Sequence, residues 1–316
     1  MNSYPGKPWL LIPISNKRLM VVAAMLFWLC LLPAFSKVYD SDCLAIYSSR
    51  GISPSMLKLA DLLESRAADL QMHLGIYTDE KAPIYIVASA AEYQMMSLGK
   101  ASIVEFSDAF YNGSEGKIYI RSGDQVQDNY LNILMHEYIH WYLEQVFIAA
   151  PLWFHEGMAT YYGGQLGYER YLEYLRATFW GKSGNLFRMS YTYPTDQADW
   201  GHFYISSAMA LRFMETRHPQ QWEHFWSVVA GVHREGKKIR FNQAFIQSYG
   251  QSLFEFNAGF ERHSKRQGYL YLALALNSLI FICLPFVMLI IARKRRKKMA
   301  QLPDLELEEE ESEDER

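Results

Sequence analysis

One pentapeptide combines residue types and spacing that chemistry can use: His136-Glu137-Tyr138-Ile139-His140. Histidines at i and i+4 lie one helical turn apart on the same face, so both imidazoles reach a single Zn²⁺. Glu137, beside the first, then stands where it can contact a water at that ion. The alternative is a helix whose histidines are hydrogen-bonded core or surface residues. A catalytic zinc takes three protein ligands and keeps a fourth position open, so another segment must supply the third. Extending the pattern to H-E-x-x-H-x-x-G-x-x-H fails, because Leu143 occupies the glycine place and Val146 the last histidine place.

Downstream, Trp153-Phe154-His155-Glu156-Gly157-Met158-Ala159-Thr160-Tyr161 has the form W-x-x-E-G-x-A-x-Y. With the H-E-x-x-H pentapeptide, this resembles the gluzincin branch of zinc metallopeptidases, the peptidase MA-like superfamily that includes the membrane alanyl aminopeptidases. The resemblance covers roughly Lys117 to Arg217. It implies a zincin-like fold, a zinc ion, a peptide or protein substrate, and Glu156 as the third metal ligand. His155 competes for that place, but points about 100° round the helix from Glu156. Thr160, one turn on, is either an orienting partner for a ligand or an ordinary helix-surface threonine.

The segment Tyr204-Ile205-Ser206-Ser207-Ala208 looks like the family's Y-x-x-G/S-A helix. That likeness makes Tyr204 the donor to a developing oxyanion, a role needing a neutral O–H; Tyr191, Tyr193 and His202 are substitutes. The implied mechanism has Glu137 as general base. One departure concerns the Gly-x-Met-Glu-Asn segment with which aminopeptidases of the branch bind a free α-amine. Here Ala109-Phe110-Tyr111-Asn112-Gly113-Ser114-Glu115 puts no glutamate in register. A rival reading keeps the fold without turnover, as a binding or scaffold protein relaying to a cytoplasmic partner.

These residues need a frame. Pro54 opens a helical pattern of apolar residues at three- and four-residue steps that Gly75 stops. Pro83–Ala88 reads as a buried strand, Lys117–Arg121 as an alternating one, and Asn112 to Gly116 as a polar loop between them. Asp128–Phe147 reads as the long helix carrying the histidines, followed by helices from about Trp153, Tyr168, Tyr204, Gln220 and Leu253. Strands first and helices after argue an α+β domain.

Two apolar runs organise the chain. Leu19–Leu32, after Lys17 and Arg18 and before Pro33-Ala34-Phe35-Ser36, has the layout of a secretory signal over residues 1–36, with an uncleaved anchor as the alternative. Tyr269–Ala292 carries no charge and meets Arg293-Lys294-Arg295-Arg296-Lys297-Lys298 directly, as a membrane-spanning helix with a cytoplasmic basic stop does. Residues 37–267 are then the exported domain, and 293–316 a cytoplasmic tail turning strongly acidic from Asp304, where a basic partner could dock. The expected location is a bacterial inner membrane with the domain in the periplasm.

Composition removes other classes. With 50% hydrophobic and 15% aromatic residues, the chain buries a substantial core and is no wholly disordered protein. Lys and Arg number 31 against 34 Asp and Glu, so the basic excess that drives nucleic-acid binding is lacking. Cys30, Cys43 and Cys283 build neither a disulfide framework nor a cysteine zinc site.

Overall fold

A computed structural model describes residues 35–97, 108–121, 129–167, 172, 174 and 184–300. The apolar run expected to be a secretory signal, most of the helix expected from Tyr168, and the acidic tail lie outside the described residues.

The architecture is α+β, a small mixed sheet followed by a mainly helical part. Strands β1 (Ser36–Asp40), β2 (Leu44–Ser48), β3 (Ala82–Val87), β4 (Ala109–Asn112) and β5 (Lys117–Arg121) form a sheet in the order β1-β2-β3-β5-β4. The outer pairs are antiparallel and the inner pairs parallel. A parallel pair needs a crossover, and helix α1 (Pro54–Leu74) provides it between β2 and β3. Ser53 caps α1 by accepting from the Met56 N–H, Pro54 starts it, and Gly75 ends it at φ 68°, a left-handed conformation that glycine adopts without strain. Alternation sorts the sheet's faces. Ile84, Ile86, Ile118 and Ile120 enter the main core, while Tyr85 and Tyr119 lie on the opposite face, Tyr119 in a smaller cluster with Tyr93 and Phe110.

Strand β4 occupies part of the stretch expected to be loop, and only Gly113 to Gly116 turn the hairpin into β5. Helix α2 (Ala90–Ser97) covers part of the tyrosine face with Tyr93. Helix α3 (Tyr130–Val146) carries the histidines, and Leu134, Met135, Tyr138, Ile139, Tyr142, Leu143 and Val146 sink it into the core. The Tyr138 hydroxyl accepts from Gln71 of α1 at 2.7 Å, and the Tyr142 hydroxyl donates to the Ile76 carbonyl at 3.0 Å.

The helical part comprises α4 (Leu152–Tyr162), α5 (Trp200–Arg217), α6 (Pro219–Arg234) and α7 (Phe241–Tyr249). Helix α5 begins one turn before the expected Tyr204. A two-stranded parallel pair, β6 (Phe147–Ile148) with β7 (Ile239–Arg240), ties the end of α3 to the start of α7. Behind α4 the aromatic rings of Phe147, Phe154, Phe225, Trp226 and Phe241 pack together. Helix α8 (Leu253–Met299) opens with a capping box between Ser252 and Glu255 and docks through the buried Phe256 and Phe260. From Tyr269 most of its large apolar residues are exposed, and it continues through Pro285 into the basic cluster. It is long and apolar enough to cross a membrane by length and composition.

Helix α4 packs closely on α5 at Gly157, where a Cβ would stand 2.6 Å from the Ser207 carbonyl oxygen. Because that neighbour is backbone, Gly157→Ala should cost about 1–3 kcal/mol by forcing the helices apart. Chemical unfolding of the full chain in detergent measures this, and wild-type stability would mean that α5 recedes freely.

Candidate metal centre

The i,i+4 spacing on α3 brings the Nε2 atoms of His136 and His140 to 3.1 Å, with the rings edge to face. The chain then reverses through β6. Ala149 takes φ 53°, a left-handed conformation costing a Cβ-bearing residue roughly 1–2 kcal/mol. Pro151 follows and α4 begins, which brings Glu156 back onto the histidines. Its Oε2 lies 3.3 Å from His136 Nε2 and 3.6 Å from His140 Nε2.

Two observations test whether these atoms fit an ion. Glu156 Oε2 is buried, yet no hydrogen bond reaches it among the described residues. Donors bonded at about 2.0–2.1 Å to one tetrahedral centre stand roughly 3.3–3.4 Å apart. The three observed separations bracket that value, so the group of His136, His140 and Glu156 could hold a metal ion.

The second oxygen of the carboxylate is fixed. Tyr193 donates its hydroxyl to Glu156 Oε1 at 2.8 Å, and its ring stacks on Trp200 at the head of α5. Burial pushes the Tyr193 phenol up, and the Glu156 carboxylate pushes it further, so it remains a donor. Burial alone would raise the Glu156 carboxyl, but His140 and His136 outweigh it and hold the group well below the usual carboxylate range. Burial alone would depress His140, but Glu156 outweighs that and lifts it to about 9. His155 behaves differently. Burial, with the charge of His140 second, lowers it to about 3, and its ring stacks on His140 at 5.8 Å, outside the donor group.

Glu137 adjoins the group on α3. Burial raises its carboxyl above the ordinary range, opposed by the two histidines and supported by Glu156. Its Oε2 accepts the backbone N–H of Tyr111 at 2.7 Å, while the Tyr111 hydroxyl donates to Glu144 Oε2 at 2.7 Å. Strand β4 thus grips α3 at two carboxylates seven residues apart.

Among the remaining sequence candidates, Tyr204 is half-buried with its ring edge-on to His136 at 6.1 Å and beside Trp200. Tyr191 is exposed against Phe187, and His202 pairs with Ser206 at 3.2 Å. Thr160 is buried rather than on the helix surface, and no hydrogen bond to its hydroxyl is present among the described residues. Sequence reasoning missed the bond of Tyr193 to Glu156 and that of the Tyr111 backbone to Glu137. Both join segments far apart in the chain, and no local spacing signals either.

No protein-family model matches the chain, and no curated protein matches it.

Elemental mass spectrometry of the full chain should find about one metal ion per molecule, lost in Glu156→Ala. Tyr193→Phe should keep the fold and weaken metal binding about 10–100-fold in a chelator competition, the usual effect of losing an outer partner. Unchanged affinity would mean that packing alone orients the carboxylate.

Proposed function

We propose that the chain is a membrane-anchored zinc peptidase of the gluzincin type, with a zincin-like domain outside the cytoplasm. The observation that carries this reading is the convergence of Glu156 Oε2 on the two Nε2 atoms of His136 and His140, with the desolvated Glu137 adjoining. His136, His140 and Glu156 would hold the zinc, whose chemistry when bound is Lewis acidity, making water nucleophilic near neutral pH and polarising a carbonyl.

Glu137 acts as general base, taking a proton from the attacking water and passing it to the leaving amine. Its raised proton affinity suits both transfers, and the Tyr111 N–H engages Oε2, leaving Oε1 as the working oxygen. Tyr204, packed on His136, supplies the neutral hydroxyl for the developing oxyanion. Tyr193 is a positioning residue that acts through Glu156. Strand β4 is one of the two edge strands of its sheet, so an extended peptide added along it would pass the α3 carboxylates.

The length and exposed apolar surface of α8 support a single crossing of a plasma or inner membrane. The basic cluster after Ala292 supports a cytoplasmic C-terminus.

The test uses the full chain in detergent against a peptide library. Wild type should cleave, and Glu137→Gln should retain its metal while losing turnover on the order of 10²–10⁴-fold. Cleavage surviving in Glu137→Gln overturns the assignment of the base. A zinc-loaded wild type that cuts nothing overturns the peptidase reading in favour of a silent binding protein.

A further inference from the structure

Away from the metal centre, a cavity of about 230 Å³ lies between the C-terminal half of α5 and the stretch of α8 leaving the domain. That is far above the roughly 15 Å³ that admits one water, so a group of several atoms fits. Arg212, Arg217 and His263 bring cationic or proton-donating groups to its walls, and Thr216 and Gln267 add polar ones. Met209 and Phe213 make its apolar part, with the Phe213 ring against His263 at 4.8 Å. Among the described residues that line it, none is acidic.

The position is as informative as the lining. Gln267 lies two residues before Tyr269, where the exposed apolar surface of α8 begins. If α8 spans a bilayer, the cavity therefore sits at the headgroup layer, and an apolar helix surface runs away from it in the direction of the acyl chains. Burial lowers the His263 imidazole, and the nearby guanidinium groups of Arg217 and Arg266 lower it further. Guanidinium groups offer phosphate paired N–H donors, and cations at this depth attract anionic headgroups.

We propose that the cleft between α5 and α8 binds the phosphate of an anionic phospholipid headgroup, with Arg217 as its principal donor, Arg212 adding to the positive charge of the wall, and the acyl chains lying along α8. This rests on the membrane-spanning reading of α8 and is independent of the peptidase reading.

The experiment reconstitutes the full chain in phosphatidylcholine nanodiscs containing a trace of photoreactive phosphatidylglycerol, and maps the crosslinks by peptide mass spectrometry. Phosphatidylglycerol should label the Met209–Arg217 and His263–Gln267 segments, and a phosphatidylcholine probe of the same design should not. Arg217→Gln should cut that labelling about fivefold, and adding Arg212→Gln should lower it again. Arg217→Lys should restore it only in part, because the charge stays while the paired N–H donors are lost, and labelling beside Arg293–Lys298 serves as an internal control that the variants leave unchanged. Equal labelling by both lipids, or labelling indifferent to both glutamine variants, overturns the proposal. Binding of inorganic phosphate that Arg217→Gln abolishes, with no phosphatidylglycerol labelling of the cleft, assigns it to a free anion and overturns the proposal too. Alkaline carbonate extraction separates the two readings: an extracted chain refutes the membrane crossing, whereas a retained chain without cleft labelling refutes the headgroup site alone.

Discussion

A carboxylate buried to 3% exposure is the constraint around which the helical part is organised. Glu156 would cost several kcal/mol in an uncompensated interior, so its charge must be met from outside its own helix. His136 and His140 meet one oxygen and Tyr193 the other. The imidazoles require α3 and α4 to face each other across the turn at Ala149, and the phenol requires the segment before α5 to close over the same point. Gly157, next to Glu156, lets the α5 backbone come as near as that closure demands. Trp153 and Phe154, fixed in the aromatic core, prevent α4 from rolling the carboxylate away.

The other side of α3 is held by the sheet. Tyr111 contributes a backbone donor to Glu137 and a hydroxyl to Glu144, so one residue of β4 sets the helix against the strand at two heights. The donor group and the adjoining carboxylate are thus fixed by different elements, α4 and α5 for the one, β4 for the other. A change that loosens the sheet edge acts on Glu137 while leaving the three donors in place.

Features set by short-range rules were legible in the sequence. The proline and glycine of α1, the alternation of β5 and the spacing of His136 and His140 need only neighbouring residues, and these elements fall where the pattern puts them. Strands β1, β2 and β4 and helices α2 and α7 are short, and much of their stability comes from partners distant in the chain, so local pattern marks them weakly. The start of α5 shows the same limit. Trp200 to Phe203 carry no strong cap, and stacking of Trp200 on Tyr193 helps hold that first turn. Glu156 stood out because it shares a short motif with Trp153 and Gly157, whereas the partners of its second oxygen and of Glu137 belong to tertiary structure alone.

Helix α8 passes from the docked residues Phe256 and Phe260 to the exposed apolar stretch without a break. A domain on a flexible tether sweeps a hemisphere of positions, but one that shares a helix with its anchor has a fixed altitude and a fixed azimuth. With α8 in a bilayer, each residue inserted between Phe260 and Tyr269 would swing the domain about 100° round the helix axis and lift it about 1.5 Å. The helix then works as a ruler and a compass: what the domain can meet is set by how far a protein segment emerges from the membrane, and on which side of α8 it stands.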